Sequence, residues 1–463
     1  MKRAKRIYIL LGILAAACLI TFAVTRMEEK KEQIKNSEEV ILELSEDSVQ
    51  KLSWNYEETE LAFHRDDDGL WSYDDDKEFP VDEDKINGLL EQFASFSVSF
   101  VIEDVEDYGQ YGLDEPLCTI QLETSGETYE ISLGNYSNMD SQRYLSIGDG
   151  NVYLAQTDPL ETFEVGLNDL IAQDEIPVFS QAETITFEGT ENYSIQYKEN
   201  SGDTYRSEDV YFTEKDGDNQ PLDTDKIESY LESLSSLNLT DYVTYKASEE
   251  ELKTYGLDAP ELTVTVKGTA EDADGEEVTE SVVLNISSVS DEEKETSGDD
   301  EEEITAYVRV GDSGIIYRIS ESDYDALTKA SYNDLRHSEV IPAEFEDISK
   351  IEVTLEGKTY TITSEEKKGE YIYSYKNKEL DISQLQSAAE ALKAYSFTDQ
   401  EPDGEEEISM TLYLDDENET KIQVKLYRYD GTYCLAEVDK KTVALVKRSL
   451  AVDLIEAVNS IVL

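Results

Sequence analysis

The chain has 463 residues, 39% of them hydrophobic, with 30 Tyr and 12 Phe, which is too much apolar matter for a wholly disordered chain and enough for several cores. It carries 106 acidic residues against 39 basic ones, a formal net charge of −67. Such a field repels phosphate backbones, which argues against nucleic acid as a partner and favours basic surfaces, cationic ligands or metal ions.

The first 26 residues read as a targeting element. "MKRAKR" puts Lys2, Arg3, Lys5 and Arg6 ahead of an uncharged run from Ile7 to Thr25. A helix over that run reaches roughly 29 Å, about one hydrocarbon core. Basic residues upstream keep the N-terminus cytoplasmic and the bulk of the chain extracytoplasmic, a single-pass anchor in the cell membrane. "LAAAC" at 14–18 also resembles a lipoprotein cleavage site with Cys18 as the acylated residue, but "LITFAV" carries the apolar run past Cys18 and favours an uncleaved anchor. Residues 27–48 read as a charged, helical stalk.

A pattern then repeats. "FPVDEDKINGLLEQF", "QPLDTDKIESYLESL" and "KELDISQLQSAAEAL" each begin with an Asp placed to cap a helix: Asp82, Asp223 and Asp381. Apolar residues follow at +4, +7, +8 and +11, one stripe of a 3.6-residue helix. An apolar residue precedes each Asp (Val81, Leu222, Leu380), placed as a hydrophobic staple. Alternating, β-branched and aromatic segments flank the helices and predict strands, such as "KLSWNY", "TITFEG" and "KIEVTLEG" before them and "CTIQLE" and "LTVTVKG" after. The fold class is therefore α+β: an N-terminal transmembrane helix, then three tandem units, each of antiparallel strands packed with one or two helices. The units run 49–180, 181–342 with an acidic insertion near 270–303, and 343–463, the last divergent. Its end, "KTVALVKRSLAVDLIEAV", reads as a closing helix with Val443, Leu445, Val446, Leu450, Leu454 and Val458 on one stripe.

Between helix and second strand set lies "YGLDEP" at 111–116 and "YGLDAP" at 255–260. Gly112 and Gly256 tolerate positive φ, Asp114 and Asp258 suit a turn, and Pro116 and Pro260 lead into extended chain. Tyr111, Leu113, Tyr255 and Leu257 are the apolar anchors. The motif reads as a turn that locks helix to sheet, with a ligand-gripping role as the alternative. The third unit lacks it.

The order "PVD", helix, "YGLDEP", strands, "RYLSIGDGNVYLA" resembles the family catalogued as domain of unknown function 4340. The resemblance covers the first unit from about Val49 to Pro177 and, more loosely, the second from about Ala182 to Pro342. It implies an extracytoplasmic protein with one N-terminal membrane helix. Some members are associated with ABC-transporter or gliding-motility-type gene neighbourhoods, which implies an accessory role. It brings no catalytic residue.

The residues themselves assemble no chemistry. His64 and His337 have no Cys or second His nearby in sequence, and no H-E-x-x-H occurs, so both read as structural or solvent-facing, and no metal site or cofactor is expected. Asp66, Asp67, Asp68 and Gly69 lack EF-hand spacing and read as a hairpin turn. Trp54 and Trp71 suit either a glycan platform or a core. Cys118 and Cys434 read as buried thiols. The expectation is a non-enzymatic membrane-anchored accessory or interaction module for an ABC-transporter or envelope complex; the alternative is a surface protein binding a glycan, peptide or metal ion. The anchor reading is checked by the intact mass of the mature protein, which should include the apolar run; a chain beginning at lipidated Cys18 contradicts it.

Overall fold

The computed structural model describes residues 39–103, 105–272, 275–288, 304–367, 370–415 and 420–462. The expected transmembrane helix lies outside the described residues, among which no helix is long and apolar enough to cross a membrane. The chain divides into two compact units, Met1–Gln173 and Asp174–Leu463.

The first unit holds one antiparallel sheet of nine strands: β1 (Glu39–Leu42), β2 (Val49–Tyr56), β3 (Thr59–Arg65), β4 (Trp71–Tyr73), β5 (Phe96–Ile102), β6 (Cys118–Thr124), β7 (Thr128–Ser137), β8 (Gln142–Ser146) and β9 (Val152–Ala155). Their order is β1-β5-β9-β8-β7-β6-β2-β3-β4. The chain meanders out through β2–β4 and passes through helix α1 (Glu83–Glu91) to β5 on the far side. It returns to the middle as β6 beside β2, and β6–β9 then meander out to meet β5. Period-two patterning puts one face of the sheet inside. Leu52 and Trp54 pair with Leu122 and Ile120, and all four are buried. The helix stripe closes the core, with Ile86, Leu89, Leu90 and Phe93 at most 5% exposed. Each such side chain contributes roughly 1.5–3 kcal/mol of burial free energy.

The second unit writes the topology twice more. Strands β10 (Phe179–Glu188), β11 (Tyr193–Tyr197), β12 (Tyr211–Lys215) and β13 (Asp218–Pro221) precede helix α2 (Thr224–Ser235); β14 (Tyr242–Thr244), β15 (Leu262–Glu271), β16 (Glu277–Ser288), β17 (Ile304–Val310) and β18 (Ile316–Ser320) follow it. The order is β13-β12-β11-β10-β15-β16-β17-β18-β14. The third sheet has β19 (Ile348–Leu355), β20 (Lys358–Lys367), β21 (Glu370–Tyr375), β22 (Lys378–Leu380), helix α3 (Ser383–Glu390), then β23 (Ala394–Phe397), β24 (Glu406–Leu414), β25 (Lys421–Arg428), β26 (Tyr433–Val438) and β27 (Lys441–Lys447). Its order, β22-β21-β20-β19-β24-β25-β26-β27-β23, matches the second position by position. The first sheet differs by adding β1 at one edge and omitting the strand equivalent to β13.

Four local readings change. Residues 39–42, placed in the stalk, form β1 on β5, because Leu42 and Leu44 are apolar enough to be buried at 8% exposure despite the acidic text around them. The acidic insertion near 270–303 narrows, because residues 277–288, whose "SVVLNIS" reads as a strand in the sequence, are strand β16, paired with β15; residues 273–274 and 289–303 lie outside the described residues. Residues 441–447 are a strand, not the start of the closing helix. The run "TVALV" is β-branched and alternates, so Leu445 and Val446 pair with Leu435 and Cys434, and helix α4 begins only at Arg448 and runs to Val462. Asp381 does not occupy the N-cap of α3. Ile382 does, and the Asp381 carboxylate accepts from the Ser383 N–H at 3.0 Å, which still serves a free donor of the first turn and lowers the carboxyl pKa.

Within the second unit the third sheet is tied to the second. Arg206 Nη1 meets Glu344 at 2.8 Å, Tyr205 donates to Asp439 at 2.9 Å, and Lys441 meets Asp218 at 2.9 Å. Backbone bonds run from Val340 N to the Leu392 carbonyl and from Ala394 N to the Ser338 carbonyl. Ending the chain at Pro342 strips these partners from the second sheet. The expected outcome is a lower melting temperature for what remains; melting identical to the full chain contradicts the coupling.

Candidate functional site

The repeated hexapeptides have one geometry. Gly112 and Gly256 both sit at φ 71°. Tyr111 lies against Tyr144 with ring centroids 5.0 Å apart, and Tyr255 against Tyr307 at 4.5 Å. The turn comes down on the second strand of the return meander, where a small residue admits it. A Cβ at Gly134 would stand 2.3 Å from the Tyr111 carbonyl, and Ser287 donates to the Gly256 carbonyl at 2.7 Å. Leu257 is buried, Leu113 half-buried, and Asp114 and Asp258 are exposed. Pro116 and Pro260 stand two residues before β6 and β15.

The helix starts are built alike in the first two repeats. Asp82 accepts from Lys85 N at 3.1 Å and Asp223 from Lys226 N at 3.3 Å. The backbone N–H of Asp82 donates to Leu170, and that of Asp223 to Leu335. The Lys85 ammonium reaches the Ile171 carbonyl at 3.2 Å, and Lys226 reaches that of Arg336 at 2.8 Å. Each repeat thus clasps its helix start to its own closing segment. The equivalence aligns "NDLIA" with "NDLRH", so His337 stands where the first repeat has Ala172.

That histidine is the centre of the one described cluster with metal-ligating geometry. Nε2 lies 2.8 Å from Oδ1 of Asp209, a carboxylate whose side chain is 1% exposed and whose other oxygen accepts from Thr204. Nδ1 faces Asp223 Oδ2 at 3.8 Å and Glu339 Oε2 at 3.9 Å. The remaining Glu339 oxygen is held by Lys393 at 2.8 Å. Burial works to raise the Glu339 carboxyl, but the hydrogen bond and charge of Lys393, with Arg206 beyond, win and bring it down to about 2. The cluster opens on a cavity of about 440 Å³ between the second and third sheets. Its walls include Tyr205, Tyr332, Arg336, Phe397 and Asp439. Arg336 lies between the rings of Phe397 and Tyr332, 4.2 and 5.0 Å from their centroids, and burial lowers its pKa. Burial and the Asp439 hydrogen bond push the Tyr205 hydroxyl up to about 12.

The other candidates are structural. His64 pairs with Asp74. Asp66 Oδ1 accepts from the N–H groups of Asp68 and Leu70, making the β3–β4 turn. Trp54 and Trp71 are 3% and 4% exposed and belong to the core. Cys118 and Cys434 are buried free thiols, and burial pushes both up to about 12.

The sequence model of the family described as Domain of unknown function (DUF4340) matches residues 71–260 and 217–409. The chain belongs to the DUF4340 family. Each DUF4340 match crosses from one sheet into the next, and the two overlap over the Asp223 helix and the second hexapeptide. No curated protein and no solved structure matches the chain.

In sequence, Asp223 reads as a cap and His337 as a structural or solvent-facing residue, and nothing there says that they meet. The available signal was the repeat itself, since after the shared "NDL" Arg336 and His337 stand where the first repeat has Ile171 and Ala172. For the hexapeptide, Gly112→Val forces a β-branched residue to positive φ and drives its Cβ to 2.6 Å from the Asn135 side chain. The expected loss is at least about 1–3 kcal/mol from backbone strain alone, read by denaturant unfolding. Wild-type stability with lost ligand or partner binding identifies a gripping motif instead.

Proposed function

We propose that this DUF4340 protein is a membrane-anchored, extracytoplasmic interaction module without catalytic activity, accessory to a transporter or envelope complex. One observation carries the reading. The chain repeats one order of eight strands three times, each time within a nine-stranded sheet, and the side chains that recur between the first two copies are those that build it: the caps Asp82 and Asp223, the clasping Lys85 and Lys226, and the two turn motifs. Tandem copies of a scaffold multiply surface rather than assemble one reaction centre. The apolar run Ile7–Thr25 supplies the anchor, and the net charge of −67 favours a partner presenting a basic face. The cavity beside His337 favours a second reading, a binding protein for a metal ion or small ligand.

Affinity purification of the full chain from native membranes in mild detergent distinguishes them. The accessory reading expects a membrane protein in stoichiometric amount, released by high salt because the contact is charge-steered. A chain that purifies alone at low salt, from membranes crosslinked beforehand or not, contradicts it.

A further inference from the structure

We propose that His337, Asp223 and Glu339 form a binding site for one divalent transition-metal ion of the zinc class at the edge of the cavity between the second and third sheets. The site is independent of the accessory reading and holds whether or not a membrane partner exists.

The reasoning starts at Asp209. Its carboxylate is sealed from water, and Oδ1 needs a donor, which His337 Nε2–H supplies at 2.8 Å. With Nε2 donating to Asp209, the nitrogen left to take up a proton or a metal ion is Nδ1. That atom faces two carboxylate oxygens at 3.8 and 3.9 Å, too far for a hydrogen bond to either. A ring nitrogen facing two carboxylates marks a place where positive charge is stabilised, either a proton on Nδ1 or a metal ion bound in its stead. The three ligand atoms lie within 4.8 Å of one another. A point equidistant from all three is therefore at most about 2.5 Å from each, and a small inward shift reaches the roughly 2.0–2.2 Å of zinc to imidazole nitrogen and carboxylate oxygen. A buried carboxylate on the far nitrogen is the usual partner of a metal-bound imidazole, fixing its tautomer and raising its basicity.

The ligand set also selects. Asp223 is held by the helix it caps, and Glu339 by Lys393, so neither must be ordered afresh when an ion enters. An imidazole ligand favours zinc-class ions over calcium and magnesium, which take oxygen donors. This separates the site from the diffuse attraction of an acidic surface, which draws any cation and is screened by salt. The three side chains leave coordination positions open toward the cavity, where a water or an anionic group of a small ligand can complete the shell.

The chain has two histidines, which makes the test direct. The detergent-solubilised full chain is titrated with Zn²⁺ at physiological salt and excess Ca²⁺, with binding followed by calorimetry and the imidazole signals by NMR. The expected result is one calcium-resistant zinc per chain, with the His337 signals shifting over the first equivalent and those of His64 unmoved. His337→Ala installs the residue that the first repeat carries at this place, so the scaffold is kept, and it should abolish the calcium-resistant binding. Asp209→Asn should weaken it about 10–100-fold. Should either variant unfold, the NMR titration of the wild-type chain decides alone. The proposal is overturned if calcium removes all the zinc, if zinc binds with His337 unmoved, or if folded His337→Ala binds as tightly as wild type.

Discussion

Each of the first two repeats depends on a clasp at the start of its helix. The Asp carboxylate takes a free N–H of the first turn, its own backbone N–H bonds to the closing segment, and the Lys one turn on reaches the next carbonyl there. The sheet topology makes this necessary. The helix carries the chain from one side of the nine-stranded sheet to the far side, and the segment after the last strand of the meander returns to the helix start to finish the core. Leu170 and Leu335, 2% and 3% exposed, are the apolar part of that return. Without the clasp the helix N-terminus and the closing carbonyls would be orphaned near the core boundary, where unmet polar groups cost most.

The third repeat shows what happens when the clasp is absent. Gln384 stands where the others have Lys, and the cap position has slid to Ile382. Its core is closed by helix α4 instead, with Ala451, Leu454, Ala457 and Val458 buried in the cluster that contains Leu385 and Ala389. Glu407, with an 8% exposed side chain, takes Arg428 at 2.7 Å and Arg448 at 3.0 Å, fixing the start of that helix to the sheet. An amphipathic helix needs no return segment, so the third copy keeps its strand order while losing both the clasp and the hexapeptide. The second clasp went the other way. It keeps the cap, the backbone bond to the closing segment and the Lys contact, and places His337 and Glu339 around the capping Asp223, so that the cap is also one of the three ligands of the proposed site.

Much of this was legible in the chain. The helix stripes, the Asp starts and the turn glycines are local signals, each decided within a dozen residues. What was illegible depended on competition or distance. "TVALV" satisfies both a helical and a strand pattern, and only its partner strand decides. The acidic segment holding Val40 to Leu42 looks solvated until β5 is there to pair with it. Asp381 matches its counterparts in pattern, but β22 ends at Leu380 and leaves the next apolar residue, Ile382, to be buried at the cap. His337 and Asp209 lie 128 residues apart, and no spacing rule joins them. The repeat alignment was the one route to that site, because it shows which residues the scaffold does not require.

Native-state amide hydrogen exchange of the full chain tests the clasp most directly. If it holds each repeat closed, the amides of Asp82 and Asp223 open only with the core strands, with the same free energy and denaturant dependence as Ile120 in the first repeat and Val266 in the second. Exchange of the Asp amides through fast local fraying, while the strands stay protected, would show that the sheets close without them and that the clasp is a consequence of the fold and not its constraint.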